Sequence, residues 1–253
     1  MIFYLSLDDS INTPPRKGEK FYLNNIGLLR QQGRLQICTT KHNFNPSNFY
    51  VNKQNTTLNY GLVLLAAGAS KRLGKPKQLL PYQGKTLLSH ALQTAAESRV
   101  SPVVLVLGAN ADLLKLHVEN DNVEIVANAN WQTGMASSIQ CGLQQVLATA
   151  PNTNAVIIMV CDQPFITTQL LTDLMMKYEA SGKPIAASSY KGIPGTPALF
   201  DKTIFEELMK LTGDTGAKKI MQSHRARIAT VEFILGEIDI DTEEDYDKLV
   251  NGG

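Results

Sequence analysis

Short apolar runs alternate with segments of helical period along the chain from residue 60 onward. The apolar runs predict strands at Gly61–Ala66, Val103–Gly108, Val123–Ala127, Ala155–Cys161 and Ile185–Ser188. Apolar residues at helical spacing between these runs predict helices at Thr86–Ser98, Ala111–Glu119, Met135–Ala148 and Thr167–Ser181. Continuous apolar strands that alternate with helices are typical of a parallel sheet covered on both faces. We therefore expect a three-layer, Rossmann-like α/β fold that binds its ligand at the carboxyl ends of the strands.

Residues 1–58 do not follow this alternation. They are rich in Asn and other polar residues and show no sustained hydrophobic period, so their composition favours a loosely ordered extension. Phe21–Leu23 and Leu35–Cys38 are candidate short strands, which makes an accessory hairpin or an oligomerisation arm the alternative. A third interpretation is that translation starts near Leu58 at a codon other than Met. We expect one domain over residues 59–253 and a separate extension over residues 1–58.

The composition indicates which kinds of partner and which cellular compartment suit the protein. The formal net charge is +1, and the absence of a large excess of Lys and Arg argues against a general nucleic-acid binder. The three Cys residues are widely spaced and odd in number, which predicts neither a disulfide framework nor a zinc site and fits a reducing cytoplasm. We expect Cys161 to be a buried apolar residue. No apolar run reaches the roughly 18 residues of a membrane-spanning helix, so we expect a cytoplasmic protein without a membrane partner.

The most informative stretch follows the first predicted strand. Its small residues, which let a ligand approach the backbone, are Ala66, Ala67, Gly68, Ala69 and Ser70. Gly68 also permits backbone angles that other residues resist. The cations that follow without an intervening acid are Lys71, Arg72, Lys75 and Lys77. Exposed N–H groups at such a turn form an anion-binding concavity, so the stretch predicts a polyphosphate site, with a solvated basic turn as the alternative.

A second stretch combines a glycine with a helix start. Gly134 precedes the predicted helix at Met135–Ala148, and Ser138 lies in the first turn of that helix. Backbone donors at the positive end of a helix favour an anionic or polar ligand. Ordinary capping explains a Ser at this position equally well. We expect Trp131, the only Trp, to pack against the core rather than to stack on a base.

One carboxylate at a strand end is a candidate metal ligand, and another lies in an acidic run to which the residues alone assign no such role. Asp162 follows the apolar strand at Ala155–Cys161, at the strand end where such sheets bind ligands, and a carboxylate beside a triphosphate suits Mg²⁺. Asp241 lies in an acidic run near the C-terminus. Thr242 and Asp245 form a capping box there, which accounts for several of the acids without a function.

These motifs together resemble a known family. The run LAAGASKRLGKPKQLLP at residues 65–81 resembles the signature loop of the MobA-like nucleotidyltransferases, L-A-x-G-x-S-x-R-M/F/L-G-x-x-K. Guanylyl-transferring relatives usually carry Gly at the position of Ala67, so the Ala favours a resemblance to the molybdenum cofactor cytidylyltransferase branch. The pattern N-x-x-W-x-x-G-M-x-x-S-x-x-x-G-L at residues 128–143 also resembles that branch. The resemblance spans about residues 60–249 and includes Asp162-Gln-Pro and a D/N-x-D/N-T-P-E-D run, in which Glu243 replaces Pro.

The resemblance implies a fold of the nucleotide-diphospho-sugar transferase type and a role for each site residue. Arg72 and Lys77 are implied to be catalytic, stabilising charge on the transferred group and on the leaving pyrophosphate, while Asp162 and Asp241 hold Mg²⁺. The implied nucleotide-binding residues are Ala66, Ala67, Gly68, Ser70, Gly134 and Ser138. Ser138 is the residue that we expect at the base or the neighbouring ribose.

The acceptor side is implied by two weaker motifs. Gly195 and Pro197 lie in a segment that resembles the G-x-P-x-L-F motif of the family, although a Pro-Gly turn entering an edge strand explains it equally well. Residues 213–218 resemble the G-D-x-G-A-R/K motif. We expect Asp214 to cap a helix there, and Lys218 either to steer a phosphorylated acceptor or to be an ordinary surface charge.

The implied reaction is transfer of CMP from CTP to the phosphate of a molybdenum-bearing pterin, with release of pyrophosphate. A molybdoenzyme or its chaperone is a further candidate partner. One alternative is the same chemistry with a sugar or polyol phosphate as acceptor, or with GTP as donor. An alternative of another class is a chaperone that binds nucleotide or cofactor without turnover.

Overall fold

The computed structural model describes residues 26–31, 34–39, 58–119 and 122–251. The chain divides into two units, Met1–Thr56 and Thr57–Gly253. In the first unit, β1 (Ile26–Gln31) pairs antiparallel with β2 (Arg34–Thr39). The candidate strand at Leu35–Cys38 falls within β2, and the one at Phe21–Leu23 lies outside the described residues.

The second unit contains the remaining regular elements of the described residues. In chain order they are β3 (Tyr60–Ala66), β4 (Pro81–Tyr82), β5 (Lys85–Thr86), α1 (Leu87–Glu97), β6 (Val103–Leu107), α2 (Ala111–Lys115), β7 (Val123–Ala127), α3 (Met135–Thr149), β8 (Ala155–Val160), α4 (Thr168–Ser181), β9 (Ile185–Tyr190), β10 (Ile193–Asp201), α5 (Phe205–Met209), α6 (Lys218–Ser223), β11 (Ile228–Glu232) and α7 (Glu243–Asn251). Short 3-10 helices lie at Lys77–Leu79, Trp131–Thr133, Lys202–Ile204, Arg225–Arg227 and Ile234–Glu237.

The sheet of this unit has seven strands in the order β11-β9-β10-β8-β3-β6-β7. β10 runs antiparallel to β8 and β9, and the other neighbouring pairs are parallel. β4 and β5 form a separate antiparallel pair. The predicted mostly parallel α/β fold is therefore confirmed, and the carboxyl ends of β3, β6 and β8 meet at one edge of the sheet.

Helices cover both faces of the sheet because successive side chains of a strand point to opposite sides. On β3, Leu62 and Leu64 pack with α1 and α4 on one face. Val63 and Leu65 pack with α3, α5 and α6 on the other face. A third cluster joins the segment after β3 to the C-terminal segment, and it contains Leu73, Leu80, Leu87, Ile240 and Leu249. This third cluster brings two distant parts of the chain to the same edge of the sheet.

Two predicted elements differ from the structure. The segment after Gly192 is not an edge strand, because β10 lies between β8 and β9. Pro197 is tolerated there because the pairing with β9 shifts register between Gly195 and Ala198, and a bulge does not need the missing proline N–H. Helix α2 ends at Lys115 rather than at Glu119. Within the described ranges, none of the helices has the length and apolar character needed to cross a membrane.

Candidate active site

A cavity of about 830 Å³ opens at the carboxyl edge of the sheet, within the usual size range of small-molecule sites. The segment after β3 forms one wall, β8 contributes its end, and α3 contributes its first turn. The residues that line the cavity are Leu65, Ala66, Ala67, Gly68, Ala69, Ser70, Lys71, Arg72, Lys77, Gln78, Trp131, Gln132, Gly134, Met135, Ser138, Val160, Cys161, Asp162, Asp214 and Asp241.

The loop after β3 is held in shape by a buried glutamine that sequence analysis missed. Gln78 is only 1% exposed, and its Nε2 donates to the carbonyl oxygens of Ala66 at 3.0 Å and Gly68 at 2.9 Å. The hydroxyl of Ser70 accepts the backbone N–H of Lys77 at 3.0 Å. Ser70 therefore lines the cavity but uses its oxygen to close the loop. In the sequence, Gln78 stands between Lys77 and two leucines, and this local pattern gives no indication of its role.

The loop amides are left free by this arrangement. Among the described residues, no acceptor is present for the backbone N–H groups of Gly68, Ala69 and Ser70. Consecutive free amides that face a cavity form a nest for an anion. The loop therefore offers unpaired donors in a segment that lines the cavity, and anion binding there stays a prediction.

The conformation of Gly68 corrects one sequence argument. The positive φ angles in the loop belong to Ser70, at 52°, and to Gly74, at 67°. A Cβ on Gly68 would meet no heavy atom within 4 Å. What Gly68 supplies is therefore open space at the cavity surface rather than an unusual backbone angle.

Lys77 joins the two predicted metal ligands. Its Nζ is in contact with Asp162 Oδ2 and lies 2.7 Å from Asp241 Oδ1, while Arg72 Nη1 lies 3.2 Å from Asp241 Oδ2. Burial lowers the pKa of Lys77, but the adjacent carboxylates outweigh it, so the net shift is upward. The hydrogen bond from Lys77 lowers the pKa of Asp241. Asp162 and Asp241 therefore contact the same lysine ammonium group.

Backbone and side-chain contacts explain why Asp241 reaches this point. Ile240 is fully buried in the third cluster, and its N–H donates to the carbonyl oxygen of Asp162 at 3.1 Å. On the other side of Asp241, the predicted capping box is confirmed: Thr242 N donates to Asp245 Oδ2 at 2.9 Å, and Asp245 N donates to Thr242 Oγ1 at 3.2 Å. Asp241 is thus held between a buried residue and a capped helix start.

The carboxylates fit a divalent cation. Asp162 Oδ1 is buried and has no hydrogen-bond partner in the described part of the chain, which leaves one oxygen for a ligand that the protein does not supply. No group of three or more His, Cys, Asp or Glu side chains in the described ranges could hold a metal ion. Two carboxylates suit a hard cation that completes its shell with phosphate oxygens and water.

A third acid near this pair was not singled out from the sequence. Burial and the charge of Asp162 raise the pKa of Asp239 to about 6. Cys161, beside Asp162, is confirmed as a buried residue, and burial raises the pKa of its thiol to about 12. A thiol with that pKa does not serve as a nucleophile at neutral pH.

The opposite wall of the cavity is built by the start of α3. Gly134 has φ 111°, and a Cβ there would collide with the backbone of Gly213. Ser138 is 4% exposed and lines the cavity. Trp131 packs against the second core cluster, as expected, and also lines the cavity.

The acceptor-side residues lie elsewhere. Among the described residues, the lining of the cavity does not include Gly195, Pro197 or Lys218. Gly195 packs against the ring of Tyr190, which explains its small size. The expected cap is wrong: α6 starts after Ala217 with no side-chain cap, and Asp214 lines the cavity instead.

Comparisons with known proteins agree with this geometry. A profile of the MobA-like NTP transferase domain matches residues 62–228. Nicotine blue oxidoreductase of Paenarthrobacter nicotinovorans is 32% identical over 74% of the chain and 95% of its own length. Molybdenum cofactor cytidylyltransferase of Escherichia coli K12 is 25% identical over 73% of the chain and 92% of its own length.

Solved structures show the same architecture. Rv0371c from Mycobacterium tuberculosis H37Rv superposes with a TM-score of 0.67 and 31% identity, covering 78% of the chain and 100% of that protein. A complex of Rv0371c with manganese superposes with a TM-score of 0.65. The matched profile, which covers more than half of the chain, and the cationic loop facing a carboxylate pair lead to one conclusion: this chain belongs to the MobA-like NTP transferase family and is a nucleotidyltransferase.

Proposed function

We propose that residues 59–253 form a domain that transfers CMP from CTP to the phosphate of a molybdenum-bearing pterin, in the cytoplasm. The observation that carries the proposal is the meeting of Lys77 with both Asp162 and Asp241 beside free loop amides. A hydrogen-bonding nest and cations suit the triphosphate, and a pair of carboxylates suits the divalent ion that accompanies it. The similarity to a molybdenum cofactor cytidylyltransferase supports the choice of base and acceptor.

In the proposed reaction, an oxygen of the acceptor phosphate attacks the α-phosphorus of CTP. The bond from that phosphorus to the bridging oxygen of the β-phosphate breaks, and pyrophosphate leaves. Arg72 and Lys77 stabilise the negative charge that shifts towards the leaving group, and the amides of Gly68, Ala69 and Ser70 donate to phosphate oxygens. The protein forms no covalent bond with the substrate in this scheme.

Asp162 and Asp241 would hold the proposed Mg²⁺, with the free Oδ1 of Asp162 available to it. When bound, such an ion neutralises phosphate charge and orients the reacting groups. Because Lys77 lies between the same carboxylates in the structure, we infer that its ammonium group moves towards the phosphates when the ion binds.

The similarity to nicotine blue oxidoreductase makes a redox function the alternative to nucleotidyl transfer. The site favours phosphoryl chemistry, because hydride transfer does not need two carboxylates converging on a lysine. A molybdoenzyme or its chaperone as recipient of the product is part of the same proposal.

The test is pyrophosphate release from the purified protein with CTP or GTP, Mg²⁺, and molybdenum-loaded molybdopterin, a sugar phosphate or a polyol phosphate as acceptor. Asp162→Asn is the catalytic control, and an arm with NADH and a dye substrate tests the redox case. Release that needs both CTP and the pterin supports the proposal. Release with GTP alone, or with a sugar or polyol phosphate alone, contradicts the choice of base or acceptor.

A further inference from the structure

A buried asparagine behind the cavity makes hydrogen bonds that reach its lining. Asn128 follows β7 and is 6% exposed, and its backbone N–H donates to Leu107 O at 2.7 Å. Its side-chain Oδ1 accepts the backbone N–H of Asn130 at 2.9 Å. Because a backbone N–H can only donate, this contact fixes which end of the amide carries oxygen. The NH₂ group must therefore point towards α3.

That NH₂ group donates to two neighbouring serines. Nδ2 lies 3.0 Å from Ser138 Oγ and 2.8 Å from Ser137 Oγ. The hydroxyl of Ser137 then has protein acceptors, at 3.0 Å from Asn130 O and 2.9 Å from Gly134 O. Ser137 is satisfied within the protein and does not line the cavity.

Ser138 differs from its neighbour in one respect. Its oxygen accepts from Asn128, but among the described residues its hydroxyl hydrogen has no acceptor. The residue is 4% exposed and lines the cavity. A buried donor without a partner carries a free-energy cost, and the cavity is the direction in which an acceptor can be supplied.

We propose that Asn128 is a positioning residue that makes Ser138 a fixed hydrogen-bond donor to the nucleotide. This rests on the proposed function of the cavity and deepens it. A fixed donor selects a ligand atom that only accepts, such as a keto oxygen of a base. An exocyclic amino group at the same place would set two donors against each other. Asn128 touches no ligand itself and acts through Ser138.

The test exchanges the amide for a carboxylate of the same shape. In Asn128→Asp both side-chain oxygens accept, so the Ser138 hydroxyl turns to donate inward and presents lone pairs to the cavity. We expect the Kd and the KM for CTP, in the presence of Mg²⁺, to rise about tenfold, the effect of one lost hydrogen bond, while kcat changes less than twofold. Binding is measured by calorimetry, and turnover by pyrophosphate release.

A double-mutant cycle separates positioning from charge or misfolding. Ser138→Ala alone should weaken CTP binding about tenfold, and adding Asn128→Asp to it should cause no further loss, because the hydroxyl is gone. A loss of the same size in both backgrounds would show that the carboxylate acts by charge and would overturn the proposal. Ser137→Ala is the matched control and should leave Kd within about twofold of wild type.

Asn128→Ala covers the case in which Asn128→Asp does not fold. It frees the Ser138 hydroxyl to rotate and should weaken CTP binding several-fold only when Ser138 is present. Unchanged binding in both Asn128 variants would overturn the positioning role alone. A wild-type protein that does not bind CTP would overturn the proposed function together with this inference, so the two failures are distinguishable.

Discussion

The backbone N–H of Ile240 donates to the carbonyl oxygen of Asp162 at 3.1 Å, although the two residues are 78 positions apart in the sequence. This single bond sets the position of the next residue, Asp241, relative to the end of β8. The fully buried side chain of Ile240 fixes the same segment against Leu80 and Leu87. The geometry of the carboxylate pair therefore depends on a residue that carries no charge.

We expect Ile240→Ala to damage the site as well as the fold. Removing a fully buried aliphatic side chain costs about 2–5 kcal/mol of unfolding free energy, and the loosened segment should misplace Asp241. Turnover measured well below the melting temperature should fall at least about tenfold. Leu174→Ala, at a fully buried position on α4, is the control: it should lower stability by a similar amount and leave turnover near wild type.

Arg72→Ala and Lys77→Ala should each lower turnover about 10²–10³-fold, the scale of a lost charge-stabilising donor. Lys85→Ala is the matched control, since Lys85 pairs with Gln93 outside the cavity. Pyrophosphate release at saturating CTP measures the effect. Near-normal turnover in either cavity variant would remove that residue from the catalytic role.

Lys77→Met should bind Mn²⁺ more tightly than wild type when no nucleotide is present. The ammonium group that competes for both carboxylates is gone, while the length of the side chain is kept. We expect a gain of about tenfold in affinity, equal to about 1.4 kcal/mol, measured by electron paramagnetic resonance of free Mn²⁺. Lys75→Met removes a lysine that pairs with Glu243 instead and should give no gain. Weaker binding in Lys77→Met would contradict competition for one place.

Two glycines of the cavity should respond differently to a methyl group. Gly134→Ala requires a strained φ and a collision with Gly213, so we expect a loss of about 1–3 kcal/mol in unfolding free energy. Gly68→Ala meets no protein atom and should leave stability within about 0.5 kcal/mol of wild type. Its methyl group occupies the space of the ligand, so CTP binding should weaken about tenfold. Denaturant unfolding and calorimetry separate the two effects.

Asp239 should lower stability at neutral pH. Its folded pKa of about 6 lies above its ordinary value of 3.8, so the folded state disfavours the ionised form. The contribution to stability is complete below the unfolded pKa and is lost as the pH rises through the folded pKa. Asp239→Asn should therefore stabilise the metal-free protein at pH 7, and the gain should vanish towards pH 4. The side chain of Asp239 is only partly withdrawn from water, so screening reduces the effect and we expect about 1 kcal/mol. A gain that grows on acidification would contradict the assignment.

The hydrophobic pattern predicted most of the fold. Three strands, β3, β6 and β8, are short continuous apolar runs. Such runs are typical of strands that are buried on both faces of a parallel sheet. β10 was harder, because two prolines and a glycine at its start resemble a turn and its bulge depends on pairing with β9. β11 has only five residues, partly exposed, so its local pattern was too weak to indicate a strand.

The sequence predicted a site residue where a chemically suitable side chain directly follows a predicted strand, as Asp162 does. Gln78 and Asn128 were missed because their partners lie across a turn of the chain whose shape has no local residue pattern. Asp239 was missed because its shifted pKa comes from burial and from Asp162, which is distant in sequence. Asp214 was misassigned as a cap because its motif lies next to a helix start in sequence, whereas the loop turns towards the cavity.

The sequence by itself determined the alternating strands and helices and the cationic loop of small residues, because hydrophobic period and local residue type are encoded within a few positions. Only the tertiary structure decided that Lys77 lies between two aspartates separated along the chain, that Gln78 leaves the loop amides free, and that Ser138 keeps an unused donor. These relations depend on which surfaces pack together, and packing is a property of the whole fold rather than of any one segment.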